Sequence, residues 1–124
     1  MKKILVIDDA ATVRMYYRNI LESHGFEVEE AGNGYEGLEK ILSSSFDLCL
    51  VDVNMPKMDG YTLLRSIRRE PSVNAIPAIM ISTEAETQDV QTGYQAGANY
   101  YMVKPVKPDD LLLHVCLLTG GDGA

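Results

Sequence analysis

Three aspartates follow two short apolar runs of the chain. Asp8 and Asp9 come directly after residues 4–7, and Asp52 comes directly after residues 48–51. Such runs are typical of buried parallel strands, and ligands of open parallel sheets bind beyond the carboxyl ends of the strands. If the two strands are neighbours, three carboxylates converge there, which is unfavourable unless a cation joins them. Because carboxylate oxygens suit Mg²⁺, the spacing predicts a divalent-cation site.

A single aspartate at a strand end often does no more than cap a loop. Here three aspartates end two strands, and Lys104 ends a later apolar segment. A lysine at that position would bring a compact positive charge to the same edge of the sheet. The combination favours a site over loop capping.

The composition indicates one globular domain that does not bind nucleic acid. The chain has 124 residues and a formal charge of −7, whereas phosphate backbones are bound through clusters of Lys and Arg. Arg65, Arg68 and Arg69 do cluster, but at helical spacing, which we interpret as a solvated helix face. No apolar stretch approaches the roughly 20 residues that span a bilayer, and the N-terminus lacks a signal-peptide pattern. We therefore expect a cytoplasmic protein without membrane contact.

Strand-like and helix-like segments alternate five times along the chain. The strand candidates are residues 3–8, 26–31, 46–52, 76–82 and 99–104, and the helix candidates are residues 11–24, 34–44, 60–69, 85–96 and 108–119. This alternation predicts a single α/β domain with a parallel five-stranded sheet and helices on both faces.

The second strand differs from the first, third and fourth, which are continuously apolar. Residues 26–29 alternate between apolar and acidic side chains, which is typical of an edge strand with one face in water. An edge position for strand two leaves strands one and three side by side. We therefore predict the strand order 2-1-3-4-5 of a flavodoxin-like (βα)5 domain, in which Asp8, Asp9 and Asp52 meet.

In this order and spacing, the motifs of the chain resemble those of two-component response-regulator receiver domains, specifically of the stand-alone chemotaxis CheY type. The motifs are VIDDA at 6–10, VDVNMPKMDG at 51–60, MISTEAE at 80–86 and QAGANYYMVKP at 95–105. The resemblance covers nearly the whole chain. We expect a receiver domain over residues 1–119 and a short flexible tail over residues 120–124.

The resemblance implies a role for each acidic residue. Asp52 would be the phosphoacceptor, taking a phosphoryl group from a histidine of a sensor kinase. Asp8, Asp9 and Asp52 would hold Mg²⁺, for which Mn²⁺ is an expected substitute, and Asn54 would offer its main-chain carbonyl. Asp8 would act partly through bound water.

Three further residues would act on the phosphoryl group or respond to it. The resemblance implies that Lys104 and Ser82 contact phosphoryl oxygens, through an ammonium and a hydroxyl group. Tyr101 would rotate into the space that Ser82 vacates. The alternative for Ser82 is the N-cap of helix 4.

Four residues flank these positions. Thr83 stands where the family usually has a smaller residue, and we expect it to crowd access to the phosphoryl group. Val106 stands where phenylalanine is frequent. Glu84 flanks the site as in CheY types, which implies fairly quick self-dephosphorylation. Pro105 directly follows Lys104, and we predict a cis peptide bond there, with a trans turn as the alternative.

Helix 5 is apolar on all sides, although helices of the CheY type are usually charged on the outer side. We assign Leu111, Val115 and Leu118 to the core, and the remaining apolar side chains to a partner face. The alternatives are that residues 120–124 fold back over this face, or that a longer parent chain was trimmed. The partner face extends onto helix 4 and comprises Val90, Tyr94, Leu112, Leu113, Cys116 and Leu117.

The function implied by the resemblance is that of a phospho-accepting response regulator, in chemotaxis, rather than an enzyme. Only self-phosphorylation from small donors and self-dephosphorylation are expected. The implied partners are a chemotaxis-type sensor histidine kinase and a downstream flagellar motor switch protein or phosphatase. Helix 4, strand 5 and helix 5 would bind the downstream partner or a second copy of the chain. A phosphorelay intermediate or a phosphate sink of the same family fits the sequence equally.

Two rival functions are weaker. Residues 32–37 fit the dinucleotide pattern G-x-G-x-x-G, but they follow the second strand instead of the first, in a chain too short for two nucleotide-binding halves. An aspartyl-phosphate hydrolase of the haloacid-dehalogenase kind normally has a second acid two residues after its nucleophile. That position is Asn54 here.

Overall fold

The computed structural model describes residues 1–120 and shows one five-stranded sheet flanked by five helices. All strand pairs are parallel, and the strand order is β2-β1-β3-β4-β5, so the predicted fold class and strand order are confirmed. The elements are β1 (Lys3–Ile7), α1 (Ala11–Glu22), β2 (Glu27–Ala31), α2 (Gly34–Ser43), β3 (Leu48–Asp52), α3 (Gly60–Arg69), β4 (Ala78–Ser82), α4 (Thr87–Ala96), β5 (Tyr100–Val103) and α5 (Pro108–Thr119).

The core has two layers because successive residues of a strand point to opposite faces of the sheet. In β1, Leu5 and Ile7 pack on the side of α2, α3 and α4, whereas Ile4 and Val6 pack on the side of α1 and α5. All four are at most 1% exposed. Burial on both faces explains why the central strands are continuously apolar, and the partly exposed β2 lies at an edge as predicted.

The predicted elements exist, but all five strands and three of the helices are shorter than predicted. The strands begin or end up to two residues inside the predicted bounds, and α4 begins at Thr87 instead of 85. The last helix ends at Thr119, followed by Gly120 in the left-handed conformation (φ 77°). Residue 120 is thus the only described residue of the expected 120–124 tail, and the rest of that tail lies outside the described residues.

The buried stripe of α5 differs from the prediction. Leu111 and Val115 are fully buried as expected, but the third buried residue is Thr119, and Leu118 is only partly buried. Thr119 lies one turn beyond Val115, so the contact with the sheet continues straight along the helix. The Thr119 hydroxyl donates to the Val115 carbonyl (2.8 Å), which allows a polar residue in this apolar position.

The predicted solvated helix face is confirmed for Arg65 and Arg69, which are exposed, but the prediction is wrong for Arg68. Its half-buried guanidinium donates to the carbonyls of Gly97 (2.8 Å), Asn74 (2.9 Å) and Ile76 (2.6 Å). Burial lowers its pKa. Arg68 therefore ties together the loops at the amino ends of β4 and β5, at the opposite end of the sheet from Asp52.

Within residues 1–120, no helix has both the length and the apolar character needed to cross a membrane.

Candidate functional site

The acidic residues at the carboxyl ends of β1 and β3 lie together. These strands are hydrogen-bonded neighbours, with Ile7 opposite Val51. One carboxylate oxygen from each of Asp8, Asp9 and Asp52 lies within 4.8 Å of the other two. Asp8 and Asp52 are 2% and 4% exposed, whereas Asp9 is exposed to solvent. The sheet order thus brings together the three residues that the sequence placed at strand ends.

The chain after Asp52 folds back over the end of its strand. Asp59 caps α3 by accepting a hydrogen bond from the Thr62 amide (2.8 Å), and the Gly60 amide donates to the Val53 carbonyl (2.9 Å). A Cβ at Gly60 would collide with the main chain of Asp52 and Val53. Only glycine therefore allows this close approach, which fixes the backbone that carries Asp52.

The buried carboxylates are electrostatically strained. Burial, followed by the charge of Asp8, raises the pKa of Asp52 to about 6, against the opposing effect of Lys104. Burial also raises the pKa of Asp8. Asp8 Oδ1 accepts a hydrogen bond from the Ala10 amide (2.9 Å), but its buried Oδ2 has no hydrogen-bond partner among the described residues. The site holds more negative charge than its single lysine offsets.

This arrangement fits a hard divalent cation. A buried carboxylate oxygen without a hydrogen-bond partner is costly, and a cation would satisfy it. Asp8, Asp9 and Asp52 supply oxygen donors only, a set that suits Mg²⁺ better than softer metals. Asn54 follows in the same loop, and its amide donates to Asp52 Oδ1 at 3.4 Å.

Lys104 lies directly beyond β5 and faces the acidic cluster. Its ammonium nitrogen is 3.3 Å from Asp52 Oδ1 and 3.7 Å from Asp8 Oδ2. Its amide donates to the Ser82 carbonyl (2.8 Å), which continues the pairing between β4 and β5. The Lys104–Pro105 peptide bond is cis, so that prediction is confirmed.

Ser82, at the end of β4, is fully buried and bonded on both sides. Its hydroxyl donates to Asn54 Oδ1 (3.1 Å) and accepts from the Glu84 amide (3.0 Å). It is not the N-cap of α4, because that helix begins after Glu86. The alternative reading of Ser82 is therefore wrong, and its hydroxyl lies beside the loop that follows Asp52.

Tyr101 is buried against α4. Its side chain is 6% exposed, and its hydroxyl donates to the Glu84 carbonyl (2.9 Å). The inward ring coexists with the hydrogen bond between Ser82 and Asn54. The Tyr101 ring can therefore lie inward while Ser82 is still hydrogen-bonded to Asn54. That phosphorylation makes the Tyr101 side chain rotate stays a prediction.

Comparison with known proteins identifies the family. Residues 4–116 match the response regulator receiver domain. The chain belongs to that family.

Individual relatives agree with this result. The chain is 39% identical over 113 residues to the transcriptional regulatory protein ResD of Bacillus subtilis. This alignment covers 91% of the chain but 46% of ResD. The chain is also 38% identical over 104 residues to the chemotaxis protein CheY-3 of Vibrio cholerae. That alignment covers 83% of the chain and 80% of CheY-3. The chain thus spans less than half of ResD and most of a CheY-type relative.

A solved structure shows the same fold. The response regulator TrrA of Thermotoga maritima, in complex with Mg²⁺ and BeF, is 30% identical and superposes with a TM-score of 0.85. The alignment covers 95% of this chain and 99% of that one. Receiver domains are signal transducers of two-component systems that bind Mg²⁺ at an acidic pocket and interact with sensor histidine kinases and downstream effectors. One of these relatives, CheY-3, is itself a chemotaxis protein.

Three of the four flanking residues of this receiver domain, Thr83, Pro105 and Val106, line an open cleft beside the acidic cluster. Thr83 and Glu84 are exposed, and so is Pro105. Val106 is buried, and its carbonyl accepts a hydrogen bond from the hydroxyl of Tyr16 (2.9 Å). The cleft measures about 450 Å³ and is lined by Thr12, Val13, Tyr16, Tyr17, Thr83, Lys104, Pro105 and Val106.

The residues predicted for a partner face are exposed to different degrees. Tyr94, Leu113 and Leu117 are 44%, 54% and 68% exposed. Val90 packs partly against the core, as do Leu112 and Cys116 on α5. The exposed part of the face is therefore smaller than the sequence suggested.

Two contacts between elements were not predicted from the sequence. Arg14 of α1 donates from Nη1 to the main-chain carbonyl of Asp8 (2.6 Å), and Tyr61 of α3 donates to the carbonyl of Asp89 (3.2 Å). The only available signal for Arg14 was its spacing of four residues from Arg18, which places both on one side of α1.

The two rival functions lose their support in the receiver fold. The G-x-G-x-x-G segment opens α2 after the edge strand β2, and Asn33 caps that helix by accepting from the Glu36 amide (2.9 Å). Gly37 is buried against Ile7. The glycines thus have a packing role, and the family match assigns Asp52 to a receiver domain instead of a hydrolase.

Proposed function

We propose that this protein is a phospho-accepting response regulator of chemotaxis-type two-component signalling, with Asp52 as its phosphoacceptor. The observation that supports the proposal is the position of Asp52 at the end of the central strand β3. Its carboxylate lies beside two other acids and 3.3 Å from the Lys104 ammonium. Ionisable residues whose pKa is strongly shifted by burial and by neighbouring charges are typical of functional sites.

In the proposed step, an Asp52 oxygen attacks the phosphorus atom of a phosphohistidine on the sensor kinase. A P–O bond forms as the P–N bond breaks, and the departing electron pair and a proton restore the neutral imidazole. The product is an acyl phosphate on Asp52. Phosphoryl transfer of this kind depends mainly on positioning and on neutralisation of charge.

The neighbouring side chains supply the charge neutralisation. The Lys104 ammonium moves from Asp52 to a phosphoryl oxygen, and the Ser82 hydroxyl exchanges Asn54 for another phosphoryl oxygen. Bound Mg²⁺, or Mn²⁺ in its place, would offset the negative charge of carboxylates and phosphoryl oxygens. Asp8, Asp9 and Asp52 would hold it, together with the main-chain carbonyl of Asn54.

Phosphorylation would then bias the output surface. The phosphoryl group adds about −1.5 to −2 charges, which favours conformations in which Ser82 and Lys104 close around it. The loop after Ser82 is tied to Tyr101 through the Glu84 carbonyl, so a shift of this loop alters the packing of α4 on β5. The result is a population shift on the surface of α4, β5 and α5.

The partners and location follow from this role. The donor would be a chemotaxis-type sensor histidine kinase in the cytoplasm, and the downstream partner a flagellar motor switch protein or a phosphatase. The protein would act by binding, and its only chemistry would be self-phosphorylation from small donors and self-dephosphorylation.

The experiment that tests the proposal is labelling with a small phosphodonor in the presence of Mg²⁺, followed by mass spectrometry of the intact protein. We expect one phosphoryl group on the wild type and none on Asp52→Asn, with unchanged circular dichroism. Glu70→Gln is the matched control, since Glu70 is an exposed acid at the end of α3, at the opposite end of the sheet from Asp52. Undiminished labelling of Asp52→Asn would show that the phosphoacceptor is another residue.

A further inference from the structure

The peptide group between Asp8 and Asp9 is held at the Asp8 carbonyl oxygen by an arginine. The Asp8 amide donates to the Ala31 carbonyl (3.1 Å), and the Asp8 carbonyl accepts from Arg14 Nη1 (2.6 Å). The Asp9 side chain is exposed and makes no hydrogen bond or ion pair among residues 1–120. Among the described contacts, only the backbone that precedes Asp9 therefore restricts where its side chain can lie.

The guanidinium of Arg14 is itself fixed. Its Nε donates to Glu30 Oε1 (2.8 Å), and the other Glu30 oxygen accepts from Arg18 Nε (2.7 Å). The Arg14 and Glu30 side chains are 18% and 28% exposed, so neither is free in solvent. A planar guanidinium held at Nε can turn very little, and its Nη1 is directed at the Asp8 carbonyl.

We propose that Arg14 is a positioning residue for Asp9 and, through Asp9, for the divalent cation of the site. A peptide group is planar, so a hydrogen bond to the Asp8 carbonyl also fixes the amide nitrogen and Cα of Asp9. Glu30 on β2 acts as the support that aims the guanidinium. This inference rests on the proposed function, because it assigns Arg14 to the cation site of that function.

The experiment is a titration of the metal-free protein with Mg²⁺ by isothermal calorimetry. Outer partners of metal ligands typically change affinity by 10–100-fold, and we expect Arg14→Met to weaken Mg²⁺ binding by about tenfold. Arg18→Met is the matched control. Arg18 binds the same Glu30 and also Glu22, but it makes no contact with Asp8. We expect Arg18→Met to change the Mg²⁺ affinity by less than about twofold, because the loss of exposed ion pairs has only a small energetic effect.

Urea unfolding in EDTA separates positioning from general destabilisation. We expect both methionine variants to lose similar amounts of stability, since each loses its ion pair with Glu30. Should Arg14→Met fail to fold, Arg14→Lys replaces it. A lysine lacks the fork of a guanidinium and cannot bind Glu30 and the Asp8 carbonyl in the same way as Arg14 does. We expect Arg14→Lys to weaken Mg²⁺ binding by about threefold, which is less than the loss in Arg14→Met.

The outcomes are distinguishable. Equal Mg²⁺ affinities of the Arg14 variant and the wild type would overturn the inference, as would an equal loss in Arg18→Met. Either result leaves the proposed function intact if Asp52 is still labelled. A wild-type protein that takes up no Mg²⁺ would overturn the proposed function and this inference together.

Discussion

At the scale of single residues, the site places several negative charges close together in the buried part of the fold, where charge is energetically unfavourable. Asp8 and Asp52 are almost fully buried, and burial raises the pKa of both, against the opposing effects of Lys104 and of the hydrogen bonds from the Ala10 and Asn54 amides. A core sheet would be more stable with neutral residues at these positions. Burial of these charges thus costs the receiver domain stability, as is common at functional sites.

Replacement of Asp52 by the neutral Asn should therefore stabilise the metal-free protein. A carboxyl whose pKa is about 6 in the folded state and 3.8 in the unfolded state disfavours folding once the pH exceeds both values. About two pKa units correspond to at most about 3 kcal/mol. This pKa already includes the effect of Lys104, and a buried asparagine amide has its own cost, so we expect a gain of about 1–3 kcal/mol in EDTA at pH 7.5.

Urea unfolding at several pH values checks this prediction. The advantage of Asp52→Asn should shrink as the pH falls from 7 toward 4, because the wild-type carboxyl then takes up a proton. Added Mg²⁺ should narrow the difference at pH 7.5 by stabilising the wild type. A wild type that is the more stable protein in EDTA at pH 7.5 would contradict the prediction.

At the scale of elements, α4 packs very closely on β5. A Cβ at Gly93 would lie 2.6 Å from Cδ2 of the Tyr101 ring, a distance that real contacts do not reach. The same ring holds the loop after β4 through its hydrogen bond to the Glu84 carbonyl. Gly93 is thus the position on α4 that allows Tyr101 to lie inward.

We expect Gly93→Ala to displace Tyr101 and to destabilise the protein by about 1–3 kcal/mol, as overpacking in a core does. In a Tyr101→Ala background the collision is absent, so the same substitution should be neutral or stabilising by up to about 1 kcal/mol through helix propensity. Urea unfolding of the four proteins of this cycle measures the difference. An equal cost in both backgrounds would show that the Tyr101 ring is not the obstacle.

At the scale of the whole molecule, the surface of α4, β5 and α5 exposes several large apolar side chains. Tyr94, Val103, Leu113 and Leu117 are between 41% and 68% exposed in a chain with a net charge of −7. This surface lies beside the loop after β4, where Glu84 is hydrogen-bonded to both Ser82 and Tyr101. We expect a change at Asp52 to reach the surface through this loop.

We expect the phosphorylated protein to self-associate through this surface. The double substitution Leu113→Ser and Leu117→Ser should weaken that association by about tenfold, equivalent to about 1.4 kcal/mol. Because both leucines are exposed, the free energy of unfolding should change by less than about 0.5 kcal/mol. Sedimentation velocity over a range of concentrations measures the association, with Leu42→Ser as the control, since Leu42 is exposed on α2. Equal effects of the two sets of substitutions would contradict a specific role for the α5 leucines.

The sequence alone determined the strand order and the acidic cluster, because both follow from local patterns. Strands covered on both faces must be apolar throughout, and the polar alternation of β2 placed it at the edge, next to β1. Once β1 and β3 were neighbours, Asp8 and Asp52 had to meet, since parallel strands end at the same side of a sheet.

Only the tertiary structure decided which partner each polar side chain takes. Arg14 and Arg68 look alike in the sequence, yet one supports the Asp8 carbonyl and the other joins the loops at the far end of the sheet. Likewise, Thr119 instead of Leu118 completes the buried stripe of α5. These outcomes depend on distances of a few ångströms between elements that are remote in the chain, and periodicity records only which side of an element a residue occupies.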